Sequence, residues 1–345
     1  MGLFGRKRTS LGLDIGSGFV KIVEMDHSGD QPEVARVAIR PLLPDAIVEG
    51  EVMDPGLVAD TIRGLFEEMG SPGGTLITAV GGHDVIIKKI EMDRMKESDA
   101  RDVIRWEAEQ HVPFDIKSVE LDFQILDPEG EGLQMQVLLV AAKRELVDNK
   151  VSLLGEAGVS PSIIDVDAFA LHNAFSHNYP EGMEGVVALV NVGHEVTNVN
   201  ILEDGIPILT RDIPFGSRRL REDLQRERGL TSEQAEEVVQ GQEPIDDLER
   251  FVEASADEVA VGVERAAAFL MTQQADAGLG RIFLSGGGAR IPGMAEALAR
   301  RMNVETEMMN PFERVPLRPD AAGDLPVEES AAMLALPLGL ALRHA

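Results

Sequence analysis

The sequence predicts an α/β protein built from two related halves, with a β-α-β-β unit inserted into the first. Three observations predict this. Residues 10–24, SLGLDIGSGFVKIVE, read as strand, glycine turn and strand. The same pattern returns at residues 186–202, VVALVNVGHEVTNVNIL, so each half opens alike. Around these segments, apolar β-branched runs alternate with amphipathic stretches, the order that builds an α/β layer.

In chain order, residues 33–40 read as a third strand, and a proline-marked turn follows at 41–44. Residues 54–68 read as a helix. Asp54 is placed to cap it, Pro55 suits its first position, and Leu57, Val58, Ile62, Leu65 and Phe66 share one face. Residues 75–80 form a buried-strand candidate that ends in Gly81 and Gly82. The insert then reads as a strand at 84–92, a charged helix at 95–111 stopped by Pro113, and strands at 119–126 and 133–142. Trp106 lies on that helix, either as a core residue or as part of a docking surface. A helix at 144–157, a strand at 162–166 and a helix at 167–175 close the first half.

Residues 179–185, YPEGMEG, mark the break. After the second strand–turn–strand, a strand returns at 207–213 and a charge-rich helix runs over 218–228. Thr231 opens a helix over 231–241 as a capping box, with acids in its first turn. A long helix spans 248–274 with Phe251, Val259, Val263, Ala266 and Leu270 on its apolar side. Residues 280–301 read as a strand, the glycines Gly286, Gly287 and Gly288, and a helix from about Pro292. The segment 330–342 is apolar nearly all round. It is expected as a buried helix against the second half.

Composition narrows the function. The chain has 345 residues, enough for two domains. With no cysteine, disulfides, thiolate catalysis and Cys-ligated zinc are excluded, and a reducing compartment fits. Acidic residues outnumber basic ones by 28, which repels nucleic acid phosphates. One Trp and one Tyr give no base-stacking platform. No run approaches the roughly 20 apolar residues of a membrane span, and no signal-peptide core is present, so a cytoplasmic location is expected. The triplet Arg6–Lys7–Arg8 reads as a frayed terminus or as a contact with anionic lipid, worth around 1 kcal/mol per basic residue.

Three glycine turns follow strands in order: Gly16–Ser17–Gly18, Gly193, and Gly286–Gly288. Glycines let backbone N–H groups approach anionic oxygens closely. Asp14 stands where a carboxylate could hold a hydrated cation, and Lys21 where an ammonium could reach phosphate. Aligned on the turns, Asn191 corresponds to Asp14, while Thr197 and Asn198 fall near the Lys21 position. A lone turn of this kind is a hairpin; three in this order describe two halves clamped on a nucleotide. GxxxxGK[ST] and GxSxG are missing, a strand rather than a helix follows the first turn, and no histidine pair has metal spacing.

DIGSGFVK at residues 14–21 resembles the first phosphate loop of actin and its bacterial relatives, and SGGGARIPG at 285–293 is similar to their adenosine loop. IRWEAEQHVPFD at 104–115, the segment 141–175 and TRDIPFGSRRL at 210–220 resemble the type IV pilus assembly PilM family, a cousin of the cell-division protein FtsA. The resemblance covers nearly the whole chain. It implies an actin-like (ribonuclease H-like) duplicated fold. Subdomain 1A would comprise residues 1–82 and 138–184, with 1C inserted at 83–137. Subdomain 2A would comprise 185–215 and 280–345, with 2B at 216–279. It also implies ATP with Mg²⁺ between the halves. Gly16, Ser17, Gly18, Lys21, Asn191, Gly193, Thr197, Gly216, Gly286, Gly287 and Gly288 would hold nucleotide, and Asp14 the metal through water.

The implied partners are the N-terminal cytoplasmic peptide of the inner-membrane protein PilN, near Trp106, and through it the pilus motor ATPases and platform protein. That would hold the chain peripherally at the inner face of the membrane, with self-association possible. One departure stands out: the family's second loop carries Asp where this chain has Asn191. Binding is expected to survive and hydrolysis to be slow at most. Glu145, Asp165 and Asp167 are the acids that could position water. The rival readings are an ATP-consuming enzyme of the sugar-kinase kind and a filament-forming FtsA-like protein.

Overall fold

The computed structural model describes residues 9–271 and 278–343. The basic triplet at 6–8, the end of the helix expected to reach 274 and the side chain of Leu270 lie outside the described residues.

The first half is a five-stranded sheet. Strands β1 (Thr9–Ile15), β2 (Phe19–Asp26) and β3 (Glu33–Pro41) form an antiparallel meander. A small ladder follows, β4 (Ile47–Val48) and β5 (Glu51–Val52), and then helix α1 (Pro55–Glu68). The Asp54 carboxylate caps α1 by accepting from the Leu57 N–H at 3.0 Å. Strand β6 (Thr75–Val80) lies parallel to β1.

The chain then leaves for the insert, built of β7 (Val85–Asp93), α2 (Glu97–Glu109), β8 (Val119–Ile125) and β9 (Gln134–Lys143), with sheet order β7-β9-β8. The boundary expected at 137 falls inside β9, whose pairing with β7 runs unbroken from Gln134 to Ala142. Helix α3 (Arg144–Glu156), strand β10 (Ile163–Val166) and helix α4 (Asp167–Asn178) complete the half, giving the order β10-β6-β1-β2-β3.

The second half repeats this plan. Strands β11 (Val186–Val192), β12 (Thr197–Glu203) and β13 (Ile206–Ile213) are an antiparallel meander. Helices α5 (Ser217–Arg228), α6 (Ser232–Val239) and α7 (Leu248–Met271) precede β14 (Arg281–Ser285), α8 (Met294–Met302) and β15 (Glu305–Met308). The order β15-β14-β11-β12-β13 matches the first sheet strand for strand, including the parallel pairs. Duplication is thus present in the topology as well as in the turns. The capping box on α6 is real, but Gln234 rather than an acid returns the bond to the Thr231 N–H, at 3.0 Å.

The tail corrects one expectation. After α9 (Val327–Ser330), helix α10 (Ala335–Leu342) is buried, but it lies on α4, β1 and β2 of the first half rather than on the second. Two glycines permit this. A Cβ at Gly12 would stand 1.9 Å from the Pro337 carbonyl oxygen, and one at Gly339 would stand 1.7 Å from that of Ala170. The Ser10 hydroxyl donates to the Ala341 carbonyl at 2.5 Å. Leu336 and Leu340 reach into a cluster that joins Ile77 and Ala79 of one sheet to Val187, Leu189 and Phe283 of the other. A helix apolar all round fits a place with protein on every side.

Candidate functional site

A cleft of 1340 Å³ opens between the halves. Its walls begin with two equivalent turns. The Gly16 N–H donates to the Phe19 carbonyl at 3.0 Å, and the Gly193 N–H donates to that of Val196 at 3.0 Å. Each turn glycine therefore closes its own loop and fixes its shape. The turns touch across the cleft: a Cβ at Gly18 would meet the His194 ring at 2.8 Å. The third loop forms one end. Gly286 has φ +87°, a backbone conformation that favours glycine, and a Cβ there would stand 2.4 Å from the Val192 carbonyl oxygen. Gly287 is open towards the cleft, where a Cβ would meet only the Met333 methyl at 3.9 Å.

The same register position carries different chemistry in each half. Asp14 faces Lys21 across β1 and β2, and the two form a half-buried ion pair. Asn191 faces Asn198 across β11 and β12, and its amide donates to the Asn198 side chain at 3.2 Å. The Ser285 hydroxyl donates to Asn191 Oδ1 at 3.3 Å. Asn198 in turn donates to Asp212 at 2.7 Å. Asp212 is held above the usual carboxylate range by burial, against that hydrogen bond.

Of the sequence-predicted residues, the structure brings Asp14, Gly16, Ser17, Gly18, Lys21, Glu145, Asp167, Asn191, Gly193, Gly216, Gly286 and Gly287 together on the cleft. Three of the residues expected around the nucleotide do not line it. Thr197 is fully buried and donates to the Phe215 carbonyl at 2.8 Å; its neighbour Asn198, at the true Lys21 position, lines the cleft instead. The offset from each turn glycine contained that answer. Gly288 sits below the wall, where a Cβ would strike the Val192 side chain at 2.3 Å. Asp165 is buried in β10 and paired with Arg343 at 2.6 Å, so it anchors the end of α10.

Asp167 begins α4 at the base of the cleft. Burial, and then the Asp14 carboxylate, raise its pKa to about 7. Lys150 on α3 also lines the cleft; burial lowers its pKa while Asp167 and Asp14 oppose that shift. Lys150, Asp212 and Arg218 lie in the matching segments 141–175 and 210–220 but were not singled out as site residues, because each reaches the cleft only through the packing of elements distant in sequence. Arg218 spans the mouth. It pairs with Glu195 at 2.7 Å and Glu222 at 2.8 Å in its own half and with Asp45 at 3.0 Å in the other. The Glu49 N–H also crosses, donating to Glu195 at 2.8 Å. Asp45 and Glu49 both have positive φ, 62° and 51°, and residues 47–52 line the cleft.

Trp106 is 77% exposed on α2, whose buried face is Ala100, Ile104 and Ala108. The core reading of Trp106 is therefore overturned. No helix among the described residues is long and apolar enough to cross a membrane.

Two α/β lobes of matching topology around an inter-lobe cleft define an actin-like protein. Residues 12–345 match the family model described as type IV pilus assembly protein PilM. The chain belongs to that family. A solved PilM-PilN type IV pilus biogenesis complex is 30% identical with a TM-score of 0.82, covering 97% of this chain and 98% of that one. MreB 5 of Spiroplasma citri bound to AMPPNP has a TM-score of 0.50 at 12% identity, over 97% of this chain and 95% of that one, and shares the fold. The cell division protein FtsA of Bacillus subtilis (strain 168) is 23% identical over 250 residues, 66% of this chain. The match spans 56% of the length of that relative.

Proposed function

We propose that the chain is a nucleotide-switched adaptor of type IV pilus assembly, which holds ATP with Mg²⁺ between its lobes and a PilN-type peptide on its insert. The observation that carries the nucleotide reading is the pair of matched glycine turns meeting across the cleft, with the open Gly286–Gly287 loop at its end. The residues fit such a ligand. Backbone loops suit phosphate oxygens, and the space over Gly287 suits a nucleoside. Asp14 shares its carboxylate with Lys21, which favours holding a cation through water. Bound Mg²⁺ would supply charge neutralisation for the phosphates. Asn191 brings no charge from the opposite turn, which favours a site that retains nucleotide over one tuned for turnover.

The expected outcome is ATP binding at micromolar affinity or tighter in calorimetry. A Cβ at Gly287 meets only the Met333 methyl, so Gly287→Glu should fold with its carboxylate in the cleft, and binding should fall by at least about 100-fold. Equal affinity in both proteins overturns the nucleotide reading.

The partner reading is supported by the family, by the solved relative's complex with PilN and by Trp106. In this role the peptide tethers the chain at the cytoplasmic face of the inner membrane and links it to the motor ATPases and platform protein. Trp106→Ala should leave thermal stability unchanged, because the ring is exposed. It should weaken binding of a PilN N-terminal peptide by about 10- to 100-fold. Weakening only from second-half substitutions would put the groove elsewhere.

A further inference from the structure

Five cationic side chains line the cleft: Lys21, Lys143, Lys150, Arg218 and Arg219. Four are committed. Lys21 pairs with Asp14, and Lys143 pairs with Asp84 at 2.6 Å and stands over the Phe114 ring. Arg218 serves three carboxylates, and Arg219 pairs with Asp223 at 3.5 Å. Among the described residues, Lys150 has no such ion pair. It belongs to a stripe of α3, with Leu146, Asn149 and Leu153, at the spacing of one helix face, and all four line the cleft. Asp14 and Asp167 are the charges that act on it, and both line the same cleft.

We propose that Lys150 is the cation that meets the terminal phosphate of the bound nucleotide and makes the cleft distinguish triphosphate from diphosphate. This rests on the nucleotide reading above. Three physical points carry it. A half-buried ammonium without an ion-pair partner is costly and is stabilised by an arriving anion. Neither Asp167 nor Asp14 stands in an ion pair with Lys150, and Asp14 is taken by Lys21. The second turn offers the neutral Asn191 and Asn198 where the first offers Asp14 and Lys21, and its one carboxylate, Glu195, is already paired with Arg218.

The test is calorimetry of the full chain with AMPPNP, ADP and adenosine, in Mg²⁺, for wild type, Lys150→Gln and Lys150→Arg. Lys150→Gln should weaken AMPPNP by about 10- to 100-fold, the range for loss of a charge-assisted contact. ADP should change less than about threefold and adenosine not at all. Lys150→Arg should restore most of the preference for triphosphate. A merely structural lysine would move all three ligands alike. A preference unchanged in Lys150→Gln overturns the assignment while leaving the nucleotide reading intact. A wild-type chain that binds none of the three overturns both.

Discussion

Asp167 holds a carboxyl that titrates near 7 in the fold, against 3.8 ordinarily. Between those values the native chain binds more protons than the unfolded one, so this residue's contribution to stability is full below about pH 4 and is lost as pH rises through 7. Asp167→Asn removes the cost of ionising in the cleft. At pH 8 the variant should be more stable by about 1–4 kcal/mol in denaturant unfolding, and the difference should shrink at pH 5. An equal difference at both pH values sinks the account. At this scale the sequence is informative where chemistry and local pattern coincide: Asp14, Lys21, Gly16, Gly18, Gly193, Gly286 and Gly287 line the cleft. It is silent where chemistry depends on a neighbour from elsewhere. Lys150 and Asp212 look like ordinary helix and strand residues. Asp165 looks as available as Asp167 until Arg343 arrives from the far end of the chain. Thr197 and Asn198 differ only by the face that a one-residue step selects.

Most elements were legible from period and caps, because their burial follows their own pattern: α1 has its cap and stripe, and β6 its apolar run. Helix α10 was legible as buried but not as to where. A helix without a polar face carries no direction, so its sequence cannot say which sheet it covers. The glycines that admit it, Gly12 and Gly339, become informative only once the two backbones are seen in contact. Leu340 is fully buried in the cluster shared by both sheets. Leu340→Ala should therefore cost about 2–5 kcal/mol and lower both halves in one transition. Two separate thermal transitions, with only one shifted, would show that α10 serves a single lobe.

Over the whole molecule, two lobes that match strand for strand differ in what they bring to the cleft: a charged pair from one and an amide pair from the other. The segment 45–52 and Arg218 hold the mouth between them. Glu195 accepts from both Arg218 and the Glu49 N–H, so Glu195→Ala should release the segment. Amide exchange across residues 45–52 should rise about 10-fold, with no change in α7. Unchanged exchange at Glu49 would mean that the crossing is not what holds the segment. The position of α10 also has a consequence for how the protein is made. The β1 strand leaves the ribosome well before α10, because the Ala341 carbonyl that Ser10 bonds lies 331 residues further along the chain. At about 5–20 residues per second, that face of the first sheet waits roughly 20–60 s for its cover. During that interval Val23, Met25, Ile77 and Ala79, which cluster with α10, stand in a half-built lobe, and a chaperone that engages nascent chains has its opportunity there.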